Sequence, residues 1–429
     1  MKQSFLSPAP RPPAIREAMV NAAERREKGL PVFDFSSGNV GNLALNQKLF
    51  AKLDLEVNDN LPAGLKMVAD GLREGIENSY YPSPQGLAYS PSGGTDPIKK
   101  LVVQFFREIH GVPLADVETN RVIATAGGQQ AMAASLRSLR KDTSVLVSRW
   151  EYAPIPGILQ DHGLKEVRIE ADEDLSIDLD SLQDNIVKGS VFYISMPNNP
   201  TGYVSPKDLE TILEIVSANE GGVIWDAPYL LTIVKVTSKG AEFDKGFLEK
   251  KLAAFRLIAE MNYEKMCILS SLSKSCLIAG LRFGAATASK QWIGNMNAII
   301  GRENLSSPTP SFVTAAAILR RFLENPISYE WVCKVLAKRL TILMEEVADH
   351  LMLPGNGSFG ALYVLVKTRQ DGTKFAQKLL RNYGIVTVAG NQFYGAPVDA
   401  VRISLVSVPW SEDDHVWVES VETLKKALG

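Results

Sequence analysis

From about residue 120 to 290, short apolar runs alternate with helix-patterned segments, and this alternation narrows the possible folds more than any other feature of the chain. The runs are RVIATA, SVLVS, EVRIEA, SVFYIS, GVIWDA, MCILSSL and RFGAATAS, with amphipathic stretches such as Pro206 to Ala218 between them. Strand-like runs alternating with helical segments predict a largely parallel sheet covered by helices on both faces. After about residue 310 the pattern changes. Long helices are expected over Phe312 to Leu323 and Tyr329 to Leu351, followed by the strands ALYVLV, IVTVA and VRISLV and a closing helix, which reads as a second, α+β domain.

A chain of 429 residues is long enough for two cores. The division expected is an N-terminal segment, 1–75, packing with the small domain; a large cofactor-binding domain, 76–310; and a C-terminal small domain, 311–429. The formal net charge of -2 argues against a general electrostatic grip on nucleic acid or an anionic membrane, which leaves small molecules and the chain itself as expected partners. Cys267, Cys276 and Cys333 sit in apolar or helical stretches with no CxxC pairing and no His at ligand spacing, so no metal site is expected. Unpatterned thiols suit a reducing compartment, and the first twenty residues lack the apolar core of a signal peptide, so a cytoplasmic location is expected. No stretch approaches the 18 or so apolar residues that span a bilayer.

Several residues at strand ends carry chemistry. Asn199-Pro200-Thr201-Gly202 follows SVFYIS, and alone could be a tight turn. Asp226 ends GVIWDA with Tyr229 three residues on; in a parallel sheet ligands bind outside the carboxyl ends of strands, although an Asp there can equally cap a helix. Ser271-Leu272-Ser273-Lys274 begins at the end of the run MCILSSL, with Arg282 eight residues after the Lys. A Lys at such a place is a solvated charge or, if buried beside another cation, a carbonyl nucleophile with a lowered pKa. Arg402, inside VRISLV, either snorkels from an edge or grips a carboxylate with its planar fork. Ala126-Gly127-Gly128-Gln129-Gln130 links a strand to a helix, leaving free N–H groups for an anion, a weak signal by itself.

In this order and spacing the motifs resemble the class I/II aminotransferases, which are pyridoxal 5'-phosphate (PLP) enzymes of fold type I. The resemblance implies an α/β fold with a mostly parallel sheet in the large domain and a smaller α+β domain. It implies a Schiff base on Lys274, a pyridinium partner in Asp226, contacts to the phenolic oxygen from Asn199 and Tyr229, and phosphate contacts from Ser271, Arg282, Gly128, Gln129 and Gln130. It places an aromatic ring on the pyridine, for which Tyr152 is preferred to Trp150, and gives the substrate carboxylate to Arg402, with Gly38 of SSGNVG and Asn199 beside it. Tyr81, opening YPSPQG, matches a segment that reaches the neighbouring subunit's phosphate, which implies a homodimer with shared active sites. FGALY, Phe359 to Tyr363, is similar to the family's usual strand entry.

The expected activity is exchange of an amino group between an L-amino acid, preferably neutral, and a 2-oxo acid by a ping-pong route, with Lys274, Asp226 and Tyr229 as the catalytic group. A PLP-dependent cysteine-conjugate β-lyase would use nearly the same residues. A PLP-binding regulatory module would need an attached DNA-binding domain, for which the roughly 30 residues before FDFSSG are too few. Short strings, among them the Pro-Gln-Gly of YYPSPQG, the Glu-Tyr of RWEYAPIPG and Asn295-Met296-Asn297, look most like the valine-pyruvate aminotransferase group. Leu87 to Gly94 departs by lengthening the loop after Gly86.

Overall fold

The computed structural model describes residues 14–44, 47–49, 56–80 and 89–429. At its centre lies a seven-stranded sheet in the spatial order Val122–Thr125, Gly284–Thr287, Met266–Ser271, Gly222–Asp226, Val191–Ser195, Ser144–Ser148, Lys165–Ile169. Gly284–Thr287 runs antiparallel to both neighbours and the other pairings are parallel. Val191–Ser195 and Met266–Ser271 are buried at every residue, which is why these strands read as unbroken apolar runs rather than alternating ones.

The order of the strands makes the site. From Ser144–Ser148 the chain moves outward to Lys165–Ile169 and then returns to the other side, to Val191–Ser195. Between Ser144–Ser148 and Val191–Ser195 the direction of winding reverses, and the loops that leave their carboxyl ends diverge to open a crevice. Helices cover both faces. Pro206–Ala218 starts where sequence chemistry says it should: Ser205 Oγ accepts from the Asp208 N–H at 3.2 Å, and Pro206 takes the first helical position, where no N–H is needed.

Beyond the sheet, helices Thr309–Glu324 and Ser328–Val347 lead into a four-stranded antiparallel sheet of Leu351–Met352, Tyr363–Lys367, Ala400–Ser404 and Val388–Ala389. The second helix is shorter than expected. It stops at Val347, turns through Ala348–His350, and gives Leu351 to the sheet, where pairing with Val366 outweighs continuation of the apolar helical stripe. A three-stranded sheet, Ser358–Phe359, Val234–Thr237 and Gly240–Glu242, was not expected; its strands are too short to show a period. Phe33–Asp34 pairs in parallel with Ile385–Val386, and Phe35 packs edge-on against Trp417 at 5.3 Å. Arg339 and Asp414, both fully buried, join helix Ser328–Val347 to the chain after Ala400–Ser404: Asp414 accepts from Nε and Nη2 at 2.8 and 2.7 Å, while Nη1 donates to the carbonyls of Leu405 and Val408. No described helix is long and apolar enough to cross a membrane.

Candidate active site

The crevice is a cleft with about 200 Å³ of free space, walled by residues from the carboxyl ends of the central strands, among them Asn199, Asp226, Tyr229, Ser271 and Lys274. Asn199 is placed by its own turn. The side chain of Asn198 folds that turn by accepting from the N–H and hydroxyl of Thr201, while the Gly202 N–H returns to the Asn198 carbonyl. Asn199 Oδ1 then accepts from Arg402 Nη1 at 2.9 Å, which identifies the other end of the amide as the free donor.

Arg402 is buried in the middle of Ala400–Ser404. Nη2 donates to the Ser36 carbonyl at 2.8 Å, Nε has no partner, and no acidic side chain pairs with it among the described residues. Its planar face lies over the ring of Tyr363 at 3.9 Å and near that of Phe393 at 4.7 Å. A buried guanidinium held by rings and carbonyls but lacking an anion has the chemistry of a carboxylate receptor.

Lys274, in the short turn of helix Leu272–Ser275, donates from Nζ to the carbonyl of Gly38 at 2.7 Å and lies 5.7 Å from the ring centroid of Tyr229. Burial, aided by the cations Arg402 and Arg282, holds its amine below the usual lysine range against the opposing pull of Tyr363 and Asp226. Gly38 must be glycine, because a Cβ there would fall 1.6 Å from Tyr363 Oη. Asp226 ends its strand with Oδ2 accepting from Tyr193 Oη at 2.6 Å. Burial pushes the Asp226 carboxyl up to about 6, with Tyr193 and Lys274 working the other way. Tyr229 is lifted well above the usual phenol range by burial and by Tyr363 beside it. In Tyr363 burial acts upward too, yet Lys274 and Arg402 prevail and leave its phenol low.

At the other end of the cleft, helix Gly128–Arg137 opens toward Ser271, Ser273 and Arg282, so backbone donors, hydroxyls and a guanidinium converge where an anion would be favoured. Gly127 reaches the helix with φ +84, and a Cβ on it would lie 2.4 Å from Arg282 Nη2, so the loop and the guanidinium are packed together. Tyr152 lines the cleft and donates from Oη to Gln129 Oε1 at 2.9 Å. Trp150 instead packs against Tyr394, away from it. The side chain of Gln130 turns back to accept from the Ala126 N–H at 2.7 Å and does not line the cleft. Tyr81, and with it the expected contact between subunits, lies outside the described residues.

Some residues in the cleft wall or just behind it gave no functional signal in the sequence. Tyr193 sits in an all-buried strand and reads as core; Tyr363 was visible as part of FGALY but with no task. Glu151 was visible only as part of RWEYAPIPG, yet it is 1% exposed and burial pushes its carboxyl up to about 8 even though Ser195 and Tyr152 donate to it.

With this geometry described, the chain can be set beside known proteins. The family Aminotransferase class I and II matches residues 51–417. Among curated relatives, the histidinol-phosphate aminotransferase 2 of Mannheimia succiniciproducens is 26% identical over 296 residues, covering 68% of this chain and 76% of that protein. The aspartate aminotransferase of Thermococcus kodakarensis is 25% identical over 335 residues, covering 78% and 80%. Among solved structures, the aspartate aminotransferase from Thermus thermophilus with maleate superposes with a TM-score of 0.76 at 20% identity, covering 99% of this chain and all of that one. The Thermotoga maritima aspartate aminotransferase gives 0.74 at 17% identity, with 97% of each chain covered. At such identities the solved structures speak for the fold.

Proposed function

The chain belongs to the aminotransferase class I and II family and is a PLP-dependent transaminase, and from that premise we propose that it exchanges the amino group of a neutral L-amino acid with a 2-oxo acid by a ping-pong route. The observation that carries this reading is the buried Arg402, with no acidic partner among the described residues, held on Asn199, which lines the same cleft as Lys274.

The residues present fit the cofactor. An anion-attracting pole and a half-buried carboxylate with no cationic partner within hydrogen-bond reach are the two polar features a phosphorylated pyridine needs, and both face one cleft. When bound, PLP supplies an aldehyde that carries the amino group and a ring that takes up the electron pair released at the substrate Cα. Gly128, Gln129, Ser271 and Arg282 would hold its phosphate, Asp226 its protonated ring nitrogen, Tyr152 a ring face, and the free amide of Asn199 with Tyr229 Oη its phenolic oxygen. Lys274, whose amine burial holds below the usual lysine range, would be the residue that anchors the aldehyde and, once freed by the substrate's amine, would take the Cα proton on Nζ. Arg402 orients the substrate through its carboxylate, with Gly38 closing over it. One carboxylate receptor serves the amino acid and the 2-oxo acid in turn, which supports the ping-pong order.

Lys274 and Arg282 are the only cations lining the cleft among the described residues, so none is left for a second substrate carboxylate once Arg402 and the phosphate contacts are assigned. This supports the neutral preference. In a panel of amino donors with pyruvate and 2-oxoglutarate as acceptors, neutral donors should exceed aspartate and glutamate in kcat/KM by about tenfold or more, the scale of one unmatched charged contact. Dicarboxylic donors equal to or better than neutral ones would overturn the preference.

We also propose the division into 1–75 with 311–429 and 76–310, supported by the pairing of Phe33–Asp34 with Ile385–Val386, and a homodimer in which Tyr81 completes the partner's site. Closed two-fold dimers are the commonest soluble assembly. Mixing inactive Tyr81→Ala with inactive Lys274→Ala subunits should restore activity, because one site of the hybrid then has both residues intact. Verified subunit exchange without returning activity, or a fully active Tyr81→Ala, would remove the shared site.

A further inference from the structure

Where the strands Ser144–Ser148 and Val191–Ser195 part company, their ladder ends early: the last paired residues are Val147 and Tyr193, leaving Ser195 with no partner on that side. The side chain of Glu151 takes the vacant place. Its Oε2 accepts from the Ser195 N–H at 2.9 Å, and its Oε1 accepts from the Ser195 hydroxyl at 2.5 Å and from the Tyr152 N–H at 2.8 Å. The Ser195 oxygen, its proton committed to Glu151, accepts from Asn198 Nδ2 at 3.1 Å and from the Asn199 N–H at 3.3 Å. A continuous chain of contacts therefore runs from Glu151 through Ser195 to Asn199 and on to Arg402, while a separate branch fixes the backbone of Tyr152, whose hydroxyl reaches Gln129. No Lys or Arg pairs with Glu151 among the described residues, so it has no structural ion pair to explain its burial.

We propose that Glu151 is a positioning residue for transamination, one carboxyl that holds both the ring of Tyr152 and the turn carrying Asn199 in register with Arg402. This rests on the cofactor and carboxylate roles given above to Tyr152, Asn199 and Arg402. Such a group can sit only where the sheet changes direction, because only there do two adjacent strand ends leave a donor unpaired between loops that both face the ligand. Glu151 itself does not line the cleft, and it acts through its neighbours.

Glu151→Gln keeps the shape but replaces one acceptor oxygen by an amide NH2, so at least one of the three donors is left facing another donor. Ser195→Ala removes the hydroxyl that passes the contact to Asn199. For each variant, PLP affinity is measured by titration of the cofactor-free chain without any donor, and KM and kcat are measured with the best donor of the panel. Each is expected to raise the KM for the amino acid by about tenfold, the effect of one lost or unmatched buried hydrogen bond, and Glu151→Gln is expected to weaken PLP as well by disturbing Tyr152. The double variant should be no worse than the more damaged single one, since both changes cut the same chain of contacts. A structural role alone would lower the melting temperature and leave the folded protein's KM and PLP affinity unchanged. Unchanged values, or effects that add in the double variant, overturn the proposal. The affinity titration decides this for Glu151 whichever donor the chain prefers, whereas a wild-type chain that binds PLP normally but turns over no amino acid would overturn the donor reading instead.

Discussion

Lys274→Ala should lose transamination by a factor on the order of 10⁴ or more, since a covalent anchor and a general base disappear with one side chain, while PLP still binds. Retention is expected because the pole formed by Gly128, Ser271 and Arg282 and the carboxylate of Asp226 do not depend on the amine. Turnover and PLP affinity measured on the same preparation separate the two effects. In the wild type, borohydride reduction followed by peptide mapping should place the phosphopyridoxyl label on Lys274. A label on Lys265, which ends the turn before Met266–Ser271 and lies outside the cleft, would overturn the assignment.

The second large effect belongs to Asp226. Asp226→Asn keeps an oxygen for the Tyr193 hydroxyl but gives up the charge, and should cost about 3 kcal/mol of transition-state stabilisation, on the order of a hundredfold in rate, with a smaller loss of PLP affinity. Asp226→Ala should cost more, because the Tyr193 hydroxyl is left buried without its acceptor. The pH dependence has a definite sign. With burial raising the carboxyl to about 6 in the free chain, Asp226 is ionised above that value and takes up a proton below it. A cationic ring nitrogen prefers the ionised partner, so PLP affinity should fall as the pH drops through about 6 in the wild type and show no such step in Asp226→Asn. Near-normal turnover by Asp226→Ala with PLP bound would show that another acid serves the ring.

The parts of this molecule that could be read in advance are those where one residue type has one physical use. The alternation of short apolar runs with helix-patterned segments pointed to a covered, largely parallel sheet, and the stretch expected over Pro206 to Ala218 is the helix the structure shows. Asn199, Asp226, Lys274 and Arg402 were visible because each is a polar residue at a strand end or inside an apolar strand, where it needs a reason. Tyr193 was hidden by its neighbours: in a strand with no polar face, a tyrosine is indistinguishable from core until its hydroxyl is seen on Asp226. Glu151 was hidden for the opposite reason, since a lone glutamate in a loop nearly always faces water, and its burial follows from the reversal of strand order, which no local pattern encodes. The shortened helix at Val347 and the small sheet around Val234–Thr237 belong to the same class, because each is decided by a partner strand more than a dozen residues away.

The guanidinium of Arg402 meets the carbonyl of Ser36 and the amide of Asn199, joining points 366 and 203 residues away along the chain. Because a ribosome delivers the chain from its N-terminus, the sheet and the loops around Lys274 can assemble while Ala400–Ser404 is still unmade. Until that strand emerges and slides between Tyr363–Lys367 and Val388–Ala389, Ser36 and Asn199 have nothing to converge on. A nascent chain can thus present the pole for PLP before it can hold a substrate by its carboxylate. The carboxylate grip proposed for Arg402 therefore waits on Ala400–Ser404, which is made after every strand of the central sheet.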